Sequence, residues 1–118
     1  MKKIFIVEDS QMLRERLEKL LTALPDTLLL GHAERASDAI AAILATKPDI
    51  VLLDLCLEDS SGFDVLREVH GREPGIRFYM LSNFASEPYR RHAERLGAHG
   101  FFDKSNEFER VRDAVAAN

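Results

Sequence analysis

The sequence predicts an α/β fold, a doubly wound parallel sheet of five strands alternating with five helices in one domain of residues 1–118. Three observations predict it. Short apolar runs recur along the chain, and stretches of helical period fall between them. One run, Ile50–Leu57 (IVLLDLCL), is almost continuously apolar, the pattern of a strand covered on both faces. The runs also end on polar residues, and open parallel sheets place their ligand sites at those C-terminal strand tips.

Each element has its own signal. Ile4–Val7 is a short apolar strand that ends in Glu8 and Asp9. Ser10 suits the N-cap of the next helix. Leu13, Leu17, Leu20, Leu21 and Leu24 are its inner face, with Arg14, Arg16, Glu18 and Lys19 between them and Pro25 as its stop. Thr27–Ala33 reads as the second strand, and Ala39, Ile40, Ile43 and Leu44 as the inner face of a short helix ending before Pro48. Ile50–Leu57 is the third strand, followed by a polar loop, Glu58 to Gly62. Ser61 and Asp64 fit a capping box for a helix that buries Phe63, Leu66 and Val69, and Gly71, Pro74 and Gly75 break it. Ile76–Leu81 is the fourth strand, ending in Ser82. Ser86 caps the next helix, Pro88 fits its first turn, and Tyr89, Ala93 and Leu96 face inward before Gly97 ends it. Gly100–Phe102 is the fifth strand, ending in Asp103 and Lys104. Asn106 and Glu109 form a cap-like pair for a last helix with Phe108, Val111 and Val115 inward.

Composition narrows the function. The 118 residues are 46% hydrophobic, a globular composition with enough apolar mass for a core. The net charge of −4 offers no basic surplus, which argues against nucleic-acid binding by this domain. The single cysteine, Cys56, excludes an internal disulfide, reads as a small core residue inside the third strand, and suits a reducing compartment. The N-terminus, MKKIFIVEDS, is too short in apolar residues for a signal peptide, and no run approaches membrane-spanning length. The expectation is a soluble, cytoplasmic protein without membrane contact. His32, His70, His92 and His99 lack metal-site spacing and read as surface or loop residues.

In such a sheet the strand tips form one crevice. Glu8 and Asp9, Asp54, Ser82 and Lys104 reach it from four different strands. Three clustered acids repel one another, and a hard divalent cation such as Mg²⁺ relieves that repulsion with carboxylate, water and phosphate oxygens. Asp54 is placed to attack an in-line phosphoryl donor as a nucleophile. Lys104 and the cation would neutralise charge on the transferring oxygens, and the Ser82 hydroxyl could turn toward a bound phosphoryl group. Lys104 also suits a plain salt bridge to the acids.

The motifs FIVEDS, LLDLCLEDSSGFDVL, MLSN and GAHGFFDKS, taken together, resemble the receiver domain of bacterial two-component response regulators over essentially the whole chain. The resemblance implies a flavodoxin-like three-layer (βα)5 sandwich with strand order 2-1-3-4-5. It implies Glu8 and Asp9 as the acidic pair for Mg²⁺, Asp54 as phosphoacceptor, and the backbone carbonyl of Cys56 as a further metal ligand. It implies Ser82 as the switch hydroxyl, Phe101 as the switch aromatic and Lys104 as the phosphate-contacting lysine. Cys56 and Phe84, two residues after the phosphoacceptor and the switch hydroxyl, take positions that tune acylphosphate hydrolysis in the family. The chain departs from the common pattern with Ser105 where Pro often follows the lysine, Glu58 where Pro is frequent, and Phe101 where Tyr is common.

The function implied is a signalling phosphoacceptor that assists its own phosphorylation and dephosphorylation, not an enzyme with a separate substrate. Its donor would be a phosphohistidine of a histidine kinase or a histidine phosphotransfer protein. Its output would be a changed surface of the fourth helix, fifth strand and fifth helix, read by a protein target or by an effector domain outside these residues. That surface carries Arg90, Arg91 and Arg95, which suit either an acidic partner or a solvated face. Homodimerisation on phosphorylation through the same face stays open. The alternative is a receiver-like interaction module that works without phosphorylation, against which the complete acid, hydroxyl and lysine set argues. An aspartyl-phosphate phosphatase or mutase would need a second acid where Cys56 stands, and a dinucleotide binder would need a glycine-rich loop after the first strand.

Overall fold

The computed structural model describes residues 1–118. Five strands and five helices alternate in the order β1 (Lys2–Val7), α1 (Gln11–Thr22), β2 (Thr27–Ala33), α2 (Ala36–Thr46), β3 (Ile50–Asp54), α3 (Gly62–His70), β4 (Arg77–Ser82), α4 (Glu87–Arg95), β5 (Gly100–Asp103) and α5 (Arg110–Ala116). The strands are parallel, as the alternation predicts, and lie in the order β2-β1-β3-β4-β5 that the family resemblance implies. No helix is long and apolar enough to cross a membrane.

The two-residue period of the strands builds two cores. Phe5, Val7, Val51, Leu53, Phe78 and Met80 face α2, α3 and α4, where they meet Ile43, Leu66 and Val69 among others. Ile4, Ile6, Ile50, Leu52 and Leu81 face the other way, onto Leu17 and Leu21 of α1 and Val111 and Val115 of α5. The central strand β3 is buried along its whole length, which explains its unbroken apolar run.

Several caps follow the sequence expectation. Ser10 Oγ accepts the Leu13 N–H at 3.3 Å at the start of α1. The Asp64 carboxylate reaches back to the Ser61 N–H at 3.5 Å, the reciprocal half of a capping box. Pro88 lies in the first turn of α4. Gly62 opens α3 so close to β3 that a Cβ there would collide with the carbonyl oxygen of Asp54.

Other expectations need correction. The third strand stops at Asp54: Leu55 still donates its N–H to the Leu81 carbonyl of β4 at 3.3 Å, but its own carbonyl accepts the Gly62 N–H at 2.7 Å, and Cys56 bridges Ser61 in the loop beyond. Leu55 and Leu57 turn inward and Cys56 turns out, so the cysteine is exposed and not a core residue. Tyr89 is 42% exposed, because α4 is polar on most of its surface and buries only the small side chain of Ala93; Leu96 is half-buried. Ile40 and Leu44 of α2 and Phe63 of α3 are also only half-buried, and Phe63 meets His92 edge-on at 4.6 Å. The last helix begins at Arg110, and neither Asn106 nor Glu109 caps it with a side chain. Asn106 instead donates to the Asp103 carboxylate, and Phe108 reaches the core from the loop before the helix. Ser86 takes the N-cap position of α4 without a side-chain bond. His32 and His99 are exposed, while His70 and His92 lie half-buried on α3 and α4.

Candidate functional site

The crevice assembles at the C-terminal tips of β1, β3, β4 and β5. Glu8 follows β1 and is 2% exposed, and Asp9 beside it is open to solvent. Asp54 closes β3 at 5% exposure, and Ser82 closes β4 at 1%. Carboxylate oxygens of Glu8, Asp9 and Asp54 all lie within 4.8 Å of one another. The Lys104 ammonium enters from the end of β5 and touches two of them, Glu8 Oε1 at 2.8 Å and Asp54 Oδ1 at 3.0 Å.

Backbone donors hold the acids in place. Glu8 Oε2 accepts the Ser10 N–H at 3.1 Å, and Asp54 Oδ1 accepts the Cys56 N–H at 3.3 Å. Lys104 itself is fixed through its N–H, which donates to the Ser82 carbonyl at 3.0 Å. With Ser at 105 in place of Pro, the turn after the lysine is built by Asp103: its carboxylate accepts the Ser105 N–H at 2.8 Å, and its carbonyl accepts the Glu107 N–H at 2.8 Å.

The electrostatics follow from this packing. Burial pulls the Lys104 ammonium down more than any other single influence, but the bonds and charges of Glu8 and Asp54 together outweigh it, and its pKa stands above the ordinary lysine value. Asp9 moves up from the ordinary carboxylate value, first through burial and then through the adjacent Glu8. A crowded carboxylate of this kind favours a bound cation. The donor set is all oxygen and one member is open to solvent, which fits a hard divalent ion such as Mg²⁺.

The remaining predicted residues take defined places. Ser82 Oγ accepts the Phe84 N–H at 2.9 Å, so the hydroxyl is engaged with the loop that leads into α4. Phe101 pairs with Met80 across the β4–β5 ladder and packs half-buried on the α2–α3–α4 side of the sheet. Cys56 and Phe84 line an apolar cleft beside Asp54, of about 410 Å³, together with Leu55, Leu57, Phe63 and Tyr89. Phe84 is 55% exposed there, with its ring 6.1 Å from that of Tyr89.

Two supporting residues escaped sequence reasoning. Arg14, placed there on the polar side of the first helix, is buried; its Nη1 donates to the Glu8 carbonyl at 3.1 Å and pairs with Glu34 Oε1 at 2.9 Å. The spacing Arg14, Leu17, Leu21 was the available signal, since it puts the arginine on the buried stripe. Asp59, in the loop after Asp54, caps α2 from outside. Its carboxylate accepts the Ala36 N–H at 2.6 Å and the Ser37 N–H at 3.3 Å. These bonds, the one from Ala36 foremost, hold its carboxyl below the ordinary value. No local pattern announces a cap donated from so far along the chain.

Comparison with known proteins gives the same assignment. The family model for the response regulator receiver domain matches residues 4–116. The DNA-binding transcriptional activator DevR/DosR of Mycobacterium tuberculosis is 33% identical over 104 residues, which cover 88% of this chain and 48% of that protein. A DNA-binding response regulator of the LuxR family from Staphylococcus aureus superposes with a TM-score of 0.90 at 22% identity, covering 99% of this chain and 98% of that one. The Mn²⁺-bound form of response regulator Rcp1 superposes with a TM-score of 0.82 at 22% identity, covering 99% and 91%. The chain spans about half the length of the first curated relatives it matches. The sheet order, the acid cluster and lysine at its strand tips, and the match over residues 4–116 place the chain in the response regulator receiver domain family of two-component signalling.

Proposed function

We propose that Asp54 accepts a phosphoryl group from a phosphohistidine of a histidine kinase or histidine phosphotransfer protein. The observation that carries this is the lysine bridging Glu8 and Asp54 inside a cluster of three carboxylates. An Asp54 carboxylate oxygen attacks phosphorus, the P–N bond to the donor imidazole breaks, and its electron pair returns to that ring. The product is an acylphosphate on Asp54 and a neutral histidine on the donor once a proton is taken up. Glu8, Asp9, Asp54 and the Cys56 carbonyl would hold Mg²⁺, whose contribution is to offset charge on the phosphoryl oxygens.

Lys104 moves its ammonium from the Asp54 carboxylate to a phosphoryl oxygen, a short displacement for a side chain already in the crevice. Ser82 donates its hydroxyl to another, giving up its bond to the Phe84 N–H. Phe101 then changes place, and the surface of α4, β5 and α5 changes with it. Attack of water on phosphorus releases inorganic phosphate and regenerates the carboxylate, so the domain assists both halves of its own cycle without turning over a separate substrate. Residues 1–118 act as one domain of this kind. The output goes to a protein target or to an effector domain outside these residues.

A phosphate-affinity gel after incubation with acetyl phosphate tests this. The expected result is a retarded band that needs both Mg²⁺ and Asp54 and is missing in Asp54→Asn. An equal shift in Asp54→Asn would overturn the assignment of the nucleophile. No shift in the native chain, with Mg²⁺ binding also absent, would favour an interaction module that works without phosphorylation.

A further inference from the structure

We propose that Arg90 is a positioning residue for this switch, a latch that holds the α4–β5–α5 surface in its resting arrangement; the inference rests on the phosphorylation reading above. One guanidinium joins three segments. Its Nε donates to the Ala85 carbonyl at 2.7 Å, in the loop before α4. Nη1 donates to the Phe101 carbonyl of β5 at 2.9 Å, and Nη2 to Glu107 Oε1 at 2.6 Å. The guanidinium carbon lies 5.3 Å from the centroid of the Phe101 ring.

Glu107 is itself a fixed anchor. Its Oε1 also accepts the Asp103 N–H at 3.0 Å, next to Lys104, and its Oε2 pairs with Arg110 at the start of α5 at 3.1 Å. The Arg90 and Glu107 side chains are 30% and 20% exposed, against 72% and 70% for the neighbouring pair Arg91–Glu87. The second pair is an ordinary solvated contact, and the first is not. A planar fork with fixed donor directions suits the first role and a flexible ammonium does not.

The latch touches both ends of the proposed movement. Turning the Ser82 hydroxyl toward a phosphoryl oxygen releases the Phe84 N–H and frees the loop that contains Ala85, one of the three acceptors. At the other end, Phe101 offers both its carbonyl and its ring to the same guanidinium. One rigid group cannot keep both its bond to Ala85 and its place beside the Phe101 ring while that loop and that ring move. The latch therefore favours the resting state over the switched one, and its removal shifts that equilibrium.

Beryllium fluoride with Mg²⁺, which mimics a phosphoryl group on a carboxylate, tests this on the full chain. Amide resonances of α4, β5 and α5 report the switched state during titration, and thermal melts are recorded in parallel. Arg90→Ala and Glu107→Gln are each expected to tighten apparent affinity about fivefold, the low end of coupling between sites. The double variant should gain no more than Arg90→Ala alone, since both break one device. Arg90→Lys, which keeps the charge and loses the fork, should tighten binding as well. Unchanged affinity with a lowered Tm would make Arg90 a mere tie and overturn the latch, and weaker binding would overturn it too. Glu107→Gln keeps an acceptor for the Asp103 N–H, so it decides the matter if Arg90→Ala fails to fold. If the native chain does not bind the probe, or Asp54→Asn binds it equally, the phosphorylation reading itself falls and takes the latch with it.

Discussion

Replacing Lys104 by Met keeps the length of the side chain and deletes the one cation in contact with the acid cluster. The ammonium lies 2.8 Å from Glu8 and 3.0 Å from Asp54, and the three side chains are 9%, 3% and 6% exposed. At an effective dielectric of about 20, each contact supplies about 5–6 kcal/mol of attraction before desolvation. Burial of the ions offsets most of that gross figure, by several kcal/mol for each ion. What the substitution leaves is two buried carboxylates and Asp9 with no counterion, a situation that costs about 3–5 kcal/mol in comparable sites. The crevice opens to water at Asp9, which points to the low end, about 3 kcal/mol. Urea unfolding at pH 7 without divalent ions measures this directly. With a urea slope of about 2 kcal/mol/M, the midpoint should fall by about 1.5 M. Two further readouts separate the electrostatic account from lost packing. The deficit should shrink as pH falls toward 5, because Asp9, already raised by burial and by Glu8, loses the lowering charge of Lys104 and protonates more readily in the folded state. Mg²⁺ should stabilise Lys104→Met more than the native chain, since the variant's acids no longer share their charge with a lysine. A loss below about 1 kcal/mol, with the same pH and Mg²⁺ dependence as the native protein, would refute the reasoning.

Two further predictions concern the frame of the site. Gly62→Ala drives a Cβ into the Asp54 carbonyl, and the neighbour is backbone that cannot swing aside, so a loss of about 2 kcal/mol is expected in chemical unfolding, with Mg²⁺ affinity reduced as the tip of β3 shifts. A native-like midpoint would show that α3 can slide away from β3. Glu107 is held below its ordinary pKa of 4.5, chiefly by its bond from Arg90 and then by the Asp103 N–H. A depressed carboxylate contributes stability that is present above the unfolded value and is lost as pH falls through the folded one. Acid melts should therefore show a loss below about pH 4.5 that Glu107→Gln lacks, and parallel acid limbs would count against the pairing.

The site was legible in the sequence because parallel-sheet logic sends every strand to the same edge. An acid, a hydroxyl or an ammonium just past an apolar run is thereby placed without knowledge of packing, and Glu8, Asp54, Ser82 and Lys104 fell where that rule put them. The misplacements have physical causes. Cys56 sits in an apolar run that outlasts its strand, so hydrophobicity continued where hydrogen bonding had stopped, and the alternation of Leu55 and Leu57 carried it outward. Tyr89 followed a helical period that tertiary structure overrode, since α4 buries little more than Ala93. Asp59 caps a helix 22 residues upstream, and Arg90 joins segments on either side of itself through its guanidinium. Contacts of that range depend on topology and leave no local trace.

The order of events at the crevice follows from its charge. Three carboxylates face one ammonium; burial first, and then the neighbouring Glu8, raises the pKa of Asp9, and the charges of Glu8 and Asp54 hold Lys104. A divalent cation brings the cluster to neutrality. Converting the Asp54 carboxylate to an acylphosphate adds further negative charge and three acceptor oxygens, as a phosphate does at neutral pH. New donors must then be found within reach. Lys104 is already present, but its ammonium also serves Glu8, so it cannot satisfy the phosphoryl group alone. Ser82, buried at the adjacent strand tip, has a hydroxyl that accepts the Phe84 N–H and keeps its own proton to donate. Rotating the Ser82 side chain toward the phosphoryl group would draw its Oγ away from the Phe84 N–H, in the loop that Arg90 ties to Phe101 and Glu107. On the proposed phosphorylation of Asp54, a deficit of hydrogen-bond donors there would thus be the force that moves a surface built on the other side of β5.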